Sequence, residues 1–452
     1  MVSAAQWTTE LVIEGHRPAQ EAVVGTAAMR FIPFTVPAGV TAIRVEPHYE
    51  HGRDPNQRNT VDLGLWDARG TGPTGFRGWQ GGSPEPFTLT GRPDSTSPWY
   101  LPGEIRPGTW FLAQYYLKAA PDGLGYRYRI RFTFGEATPP PGLAPLPADP
   151  KVAQPTAPGW YAGNLHNHSR HSDGSRTLAE LAEMQAKAGY AFWFATEHNT
   201  SAHGYALASA QRPGTAAYYG YELTTPGGHA NILGGPRGRW HDFRTQPGDG
   251  LLAGVLRRAA DSGAFIMINH PFAPCTSCPW KFDEQESAAA HAVEVWNREW
   301  DVLDDAAVKW WHEGLVRGLR RHAVGGSDYH RGDDPLFPAT WVFTKGGVTE
   351  AGVLHALREG RTIVAERADR MPLSAQVGGR LPGEEVPRGV VRVDAEYREG
   401  TLYAITDTDR RVWTAADRQI DLSRARFVRF ELRVDGPASR MIAMTNAFFV
   451  RR

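Results

Sequence analysis

The sequence predicts a multidomain chain, α/β in its middle and β at both ends. Three observations predict it. Period-two segments lie near either terminus, a proline-rich stretch follows the first of them, and the middle alternates short apolar runs with helical patterns. At 452 residues the chain exceeds one ordinary domain and has ample material for cores. Hydrophobic residues make up 41% and charged residues 22%, a globular balance that excludes a disordered or fibrous chain.

In the first segment, 1–137, Tyr126, Tyr128, Ile130, Phe132 and Phe134 alternate with Arg127, Arg129, Arg131 and Thr133. That is the pattern of a strand with one buried face. Val61, Leu63 and Leu65 repeat it and run into a turn at 67–70. The stretch 31–36 contains Pro33 and belongs at a sheet edge. Together these predict a β-sandwich. Segment 138–159 carries Pro139, Pro140, Pro141, Pro145, Pro147, Pro150, Pro155 and Pro158, the composition of a stiff, extended linker.

From 160 to 366 the runs 192–195, 264–268 and 292–296 read as parallel strands covered on both faces. Thr177 followed by Glu180 is a capping box, with Leu181, Met184 and Ala188 behind it at helical spacing. Leu303, Ala307, Trp310, Trp311, Leu315 and Leu319 trace a second helical stripe. A βα repeat of this length predicts a barrel or an open α/β sheet. From 367 to 452 period two returns in Val391, Val393 and Ala395, and in Val428, Phe430, Leu432 and Val434, predicting a second small β-sandwich.

Lys+Arg and Asp+Glu balance at 49 each, so the global basic excess of a nucleic-acid binder is absent and no nucleic-acid partner is expected. No apolar run approaches the roughly 18 residues that span a bilayer. Positions 1–14 lack the basic start and apolar stretch of a secretory leader, and the expected location is cytoplasmic. The two cysteines, in Cys275-Thr276-Ser277-Cys278, form a CxxC without a second pair. That leaves a loop disulfide or two inert thiols at a pocket rim, not a structural zinc site.

Histidine marks the place of chemistry. Of 16, twelve fall between His166 and His330. His166 and His168 stand at i and i+2, so on a strand both imidazoles face one side and can grip one ion. Asp173 follows at a turn, His198, Glu222 and His270 close successive strands, and His229 opens the strand after Glu222. Asp328 and His330 repeat the i, i+2 spacing at the last. In parallel α/β folds such ends gather on one face. Mixed imidazole and carboxylate donors suit zinc, manganese or iron, and nine candidates imply two or three divalent ions.

This ordered set resembles the PHP (polymerase and histidinol phosphatase) metallohydrolase superfamily over about 160–366. Gly-Trp-Tyr before the first histidine, Glu294-Val295-Trp296-Asn297 and the flanking β-segments resemble its CehA/McbA-type branch. The resemblance implies a distorted (β/α)7 barrel between two β-sandwiches. It implies a first ion on His166, His168, Asp328 and Glu222, with Glu222 bridging to a second on His229 and His270. A third would take Asp173, His198 and His330. Asn164, Ser169, Glu197 and Asn269 depart from the family's usual residues.

The activity implied is metal-assisted hydrolysis of a small-molecule phosphoester, mono- or diester. A carbamate or carboxylic ester is the alternative, and a binding protein without activity the third reading. His198 or Asp328 is the candidate proton donor. Arg298 and Arg331 are candidates to hold a phosphate, with Asn269, Trp296, Asn297 and Tyr329 as pocket candidates. His171 is a weaker ligand candidate. The flanking segments leave homo-oligomerisation open.

Overall fold

The computed structural model describes residues 9–451 apart from 23–24, 26–27, 51–57, 83, 136–140, 333–335, 415 and 435–439. Pro139 and Pro140 of the linker, and 1–8 of the stretch read for a leader, lie outside the described residues.

The first segment forms two four-stranded antiparallel sheets. One orders Thr9–Arg17, Leu124–Phe134, Val40–Tyr49 and Phe87–Thr90; the other orders Met29–Val36, Gly108–Lys118, Thr60–Trp66 and Phe76–Gln80. Alternation sends Tyr128, Ile130 and Phe132 inward against Ile43, Leu63, Leu65 and Trp110 from both sheets. Arg127 and Arg131 point out and pair with Glu14 and Glu10 at 2.9 Å. Met29–Val36 is an edge strand, where Pro33 leaves no ladder bond unmade.

Residues 141–158 run without helix or sheet, strapped to the surface rather than free. Ala144 N donates to Pro102 O at 2.9 Å, Arg237 pairs with Asp149 at 2.8 Å, and Val348 N donates to Pro155 O at 2.7 Å.

The middle of the chain forms one curled sheet. Gly159–Asn164, Phe192–Ala195 and Ala216–Thr225 are parallel neighbours, as are Phe265–Ile268, Ala292–Asn297 and His322–Gly326. Gly228–Leu233 joins the two triplets and runs antiparallel to both its neighbours. The curl brings the first and last strand ends together, where Asn167 bridges Tyr329 in parallel.

The expected alternation of strand and helix is only partly present. Among the described residues there are four α-helices: Leu178–Ala188, Leu252–Asp261, Val302–Arg317 and Glu350–Arg358. A tight hairpin between Thr225 and Gly228 leaves no room for a helix. The stretch between Ile268 and Ala292 carries Pro271, Pro274 and Pro279 and stays irregular. Helix Leu178–Ala188 begins with the capping box read from the sequence, Thr177 against Glu180.

The last segment packs Leu373–Val377 and Val390–Tyr397 against Thr401–Thr406 and Phe427–Arg433 around Val393, Leu402, Phe430 and Leu432. Met441–Thr445 pairs with Thr362–Ala365, so this sheet is continuous with the curled one. No helix among the described residues is long and apolar enough to cross a membrane.

Candidate metal centre

The backbone zips the donor-bearing strand ends together. Asp328 N donates to His166 O and His168 N donates to Tyr329 O, each at 2.9 Å. His166, His168 and Asp328 are thereby held side by side. Gly326 permits this approach, because a Cβ there would meet His166 Cβ at 2.5 Å and Glu294 Oε1 at 2.8 Å. His270, Arg298, Asp328 and Asn199 have φ of 23°, 60°, 46° and 50°. Non-glycine residues rarely adopt this region, and here all four adjoin or belong to the cluster.

The nine residues expected from sequence converge in three overlapping groups. His166 Nε2 lies 3.4 Å from both Glu222 Oε1 and Asp328 Oδ1, and His168 Nε2 lies 3.2 Å from Asp328 Oδ1. Around the other side of Glu222, Oε1 is 3.1 Å from His229 Nδ1 and 3.4 Å from His270 Nε2. Asp173 Oδ1 stands 3.3 Å from His330 Nε2 and 3.6 Å from His198 Nε2. Glu222 touches donors of all three groups, its Oε2 lying 2.8 Å from His198 Nδ1, as a carboxylate shared between ions would.

These spacings fit cations better than hydrogen bonds. His166 Nε2, His168 Nε2 and His270 Nδ1 are buried and make no hydrogen bond, and the nearest partner of Glu222 Oε2 is an imidazole nitrogen, His198 Nδ1 at 2.8 Å. Such orphans cost about 1–3 kcal/mol each unless something else satisfies them. Two ligand atoms about 2.0–2.1 Å from a tetrahedral ion lie about 3.4 Å apart, the separation seen here. Four carboxylates, Asp173, Glu222, Glu294 and Asp328, bring four negative charges into this space, which divalent ions would neutralise.

The titration behaviour reports the same crowding. Burial alone would raise the Asp328 and Glu222 carboxyls. Imidazoles outweigh it, His166 and His330 at Asp328 and His198 and His166 at Glu222, and hold both well below the usual carboxylate range. Burial, His330 and His198 pull His168 down to about 3, leaving its lone pair free. Burial opposes charge on His198 too, but Glu222 and Asp173 raise it to about 10.

Glu294, to which the sequence pattern assigned no role, stands against the cluster. It accepts from His166 Nδ1 at 3.1 Å, His270 N at 2.9 Å and Asn297 Nδ2 at 3.1 Å, fixing which His166 nitrogen faces the centre. Its signal was available: a carboxylate at a strand end, like its neighbours. The departures from the family pattern are absorbed into hydrogen bonds. Asn269 Nδ2 donates to Glu222 Oε1 at 2.8 Å, Glu197 accepts from Ser169 N at 3.0 Å, and Asn164 Nδ2 donates to Ser327 Oγ at 2.9 Å.

A cavity of about 470 Å³ opens beside the cluster, lined by His270, Phe272, Pro274, Asn297, Arg298, Leu303 and Asp328 among others. Asn297 is among the residues that line it. Trp296 and Tyr329 are not: each is 1% exposed. Trp296 packs in the core with Trp311, because its side chain leaves the strand on the face opposite Asn297. The Tyr329 hydroxyl donates to Gly332 O and accepts from Arg176 Nε. Asn269 lies under Glu222 rather than on a pocket wall. Arg298 Nη2 donates to Asp328 Oδ2 at 3.1 Å and lies 3.1 Å from His330 Nδ1, at the mouth. Arg331 is exposed outside this network, and His171 Nδ1 turns to Ser169 Oγ at 3.1 Å, away from the donor groups. Cys275 and Cys278 are joined in a disulfide on the cavity rim.

No family model and no curated protein matches this chain. Among solved structures it is similar to a two-domain protein from Bacteroides vulgatus described as containing a predicted PHP-like metal-dependent phosphoesterase. Identity is 18%, coverage 68% of this chain and 100% of that one, and TM-score 0.38. PsfC from Pseudomonas syringae matches at 16% identity over 43% of this chain and 86% of its own, with TM-score 0.32. An amidohydrolase from Chromobacterium violaceum matches at 16% identity over 39% and 90%, with TM-score 0.28. These overlaps are too shallow to carry a residue-by-residue correspondence.

Proposed function

We propose that the chain is a metal-dependent hydrolase of a small-molecule ester, phosphoric ester first, built on a distorted barrel of the PHP type. The supporting observation is the set of buried donor atoms without hydrogen bonds, converging at ion-sharing distances beside an open cavity. His166, His168, Glu222 and Asp328 would hold one ion, Glu222, His229 and His270 a second, and Asp173, His198 and His330 a third. Bound there, divalent ions supply activation of water near neutral pH and charge neutralisation at the scissile group.

The chain's own residues do the rest. Glu294 keeps His166 Nδ1 protonated and its Nε2 aimed inward. Arg298, tied to Asp328 at the mouth, is placed to meet an anionic substrate oxygen. His198 would meet the third ion through Nε2, which faces Asp173, while its Nδ1 lies 2.6 Å from Thr224 Oγ1. A carbonyl ester or carbamate is the second reading. It is favoured by a cavity wall of Phe272, Pro274, Leu303 and Ala307.

The test is hydrolysis by metal-reconstituted protein of bis-p-nitrophenyl phosphate, its monoester, and an aryl carbamate or acetate side by side, with His166→Ala as control. Phosphoester turnover lost in the variant is the expected result. Turnover of the carbonyl substrates alone would replace the first reading with the second. Silence on all, with metal bound, would leave a binding protein.

A further inference from the structure

The irregular stretch after Ile268 turns back over the metal centre. Trp280 N donates to Pro271 O at 3.0 Å and Lys281 N to Gly227 O at 2.8 Å, pinning both ends of the 271–281 loop. At its tip Ser277 Oγ lies 3.3 Å from His229 Nε2. The next residue is Cys278. Its Sγ and one ring nitrogen each of His229 and His270 lie within 4.8 Å of one another. A His, His, Cys donor set is a zinc-type set, as in catalytic sites that keep a fourth position open.

The two sulfurs of the Cys275–Cys278 disulfide sit in different surroundings. Cys275 is exposed, whereas Cys278 is half-buried and faces the histidines. A nucleophile from solvent therefore reaches Cys275 Sγ first.

We propose that Cys278 is a redox-gated ligand: reduction of the disulfide frees its thiolate to bind the ion held by His229 and His270. This rests on the metal reading above. In the first step a dithiol's thiolate attacks Cys275 Sγ, the S–S bond breaks, and its electron pair leaves on Cys278 Sγ. The dithiol's second thiolate then displaces Cys275 from the mixed disulfide. The protein disulfide has gained two electrons, and the reductant ends as a disulfide. Released from Cys275, the Cys278 side chain can rotate about χ1 and bring its sulfur onto the ion. Soft thiolate favours zinc or cobalt over manganese. The oxidised protein leaves that position to water and substrate, and the reduced protein fills it.

The experiment uses the full chain loaded with cobalt(II), whose visible bands report binding and whose sulfur-to-cobalt charge-transfer band reports a thiolate ligand. A phosphine reductant avoids competition from added thiols; it takes up the disulfide's oxidising equivalents and ends, with water, as the phosphine oxide. Wild type should gain the charge-transfer band on reduction and lose it on reoxidation. Cys275→Ser should show it without reductant, and Cys278→Ser should lack it under any condition. Hydrolysis should fall at least tenfold as the band appears. Visible cobalt bands with no charge-transfer band in reduced wild type would overturn the proposal and leave the metal reading standing. Absence of cobalt bands in every form would overturn both. Should Cys275→Ser not fold, reduced wild type against reduced Cys278→Ser decides alone.

Discussion

At the scale of single residues, Glu294 shows how a carboxylate acts through a neighbour. It does not complete the Glu222-centred groups; it holds His166 by Nδ1 and His270 by its backbone. Substituting Glu294→Gln keeps the shape but gives His166 a weaker acceptor, or a competing donor. Metal affinity should fall about 10–100-fold, the usual cost of losing such a partner. Titration with zinc, followed by competition with a chromophoric chelator, measures it; unchanged affinity would remove Glu294 from the site. A pH dependence follows at the same scale. Without ions His198 is held protonated up to about 10, burial opposing and Glu222 and Asp173 outweighing it. An ion must displace such protons, so affinity should rise with pH between 6 and 8 and protons should be released on binding. Calorimetry in two buffers of different ionisation enthalpy reads the release directly, and zero release would contradict it.

At the scale of elements, strand Phe427–Arg433 carries Arg429, Glu431 and Arg433 on one buried face. Arg429 Nη1 donates to Glu431 at 2.6 Å and Arg433 Nε at 2.8 Å. Burial raises the Glu431 carboxyl, but Arg429 and Arg433 outweigh it and hold it at about 2. A depressed folded-state pKa means stability that is fully present above the ordinary value of 4.5 and lost as pH falls through about 2. The shift corresponds to about 3 kcal/mol. Denaturant unfolding of wild type and Glu431→Gln should therefore differ most above pH 5, and the gap should narrow steadily toward pH 2. A gap that ignores pH would show that the ion pair contributes nothing. Element-level features were also the most legible in the sequence. Thr177 and Glu180 announce their helix because a capping box is local chemistry, and Tyr128, Ile130 and Phe132 announce their strand because alternation is local too. The helices assumed between all strands were not legible. Apolar runs such as 264–268 have no period that tells parallel from antiparallel pairing, so the hairpin that reverses Gly228–Leu233 left no mark beyond its Pro-Gly-Gly turn. The convergence of nine His, Asp and Glu residues was legible because most stand at or just beyond a strand end; Asp173 stands in a turn and Glu222 inside Ala216–Thr225. Trp296 was misread because a strand end says little about which face a side chain takes.

At the scale of the whole molecule, the first sandwich and the curled sheet share one core. Trp66, Phe76, Trp79 and Tyr115 from the former cluster with Trp193, Tyr219 and Tyr221 from the latter. Trp240 stacks on Phe76 with centroids 4.0 Å apart, and Arg244 lies over the Phe31 and Trp66 rings. The same contact reaches the candidate centre. Trp99 Nε1 donates to Ser172 O at 3.0 Å, and Thr200 Oγ1 donates to Trp99 O at 3.1 Å. Ser172 precedes Asp173, and Thr200 follows His198 by two residues, so the sandwich steadies the loops that carry two of the three side chains in the Asp173, His198 and His330 group. His330, the remaining donor, follows the last strand, and its carbonyl accepts from Ser175 N at 2.7 Å. Trp99→Phe removes the indole donor while keeping a ring of similar shape. It should loosen the Asp173 and His198 loops and leave the His166, His168, Glu222 and Asp328 group intact. The expected result is loss of one metal equivalent per chain after dialysis, measured by plasma mass spectrometry, with the remaining metal retained. Loss of all metal would mean that the three groups behave as one unit, and loss of none would mean that the sandwich covers the centre without holding it.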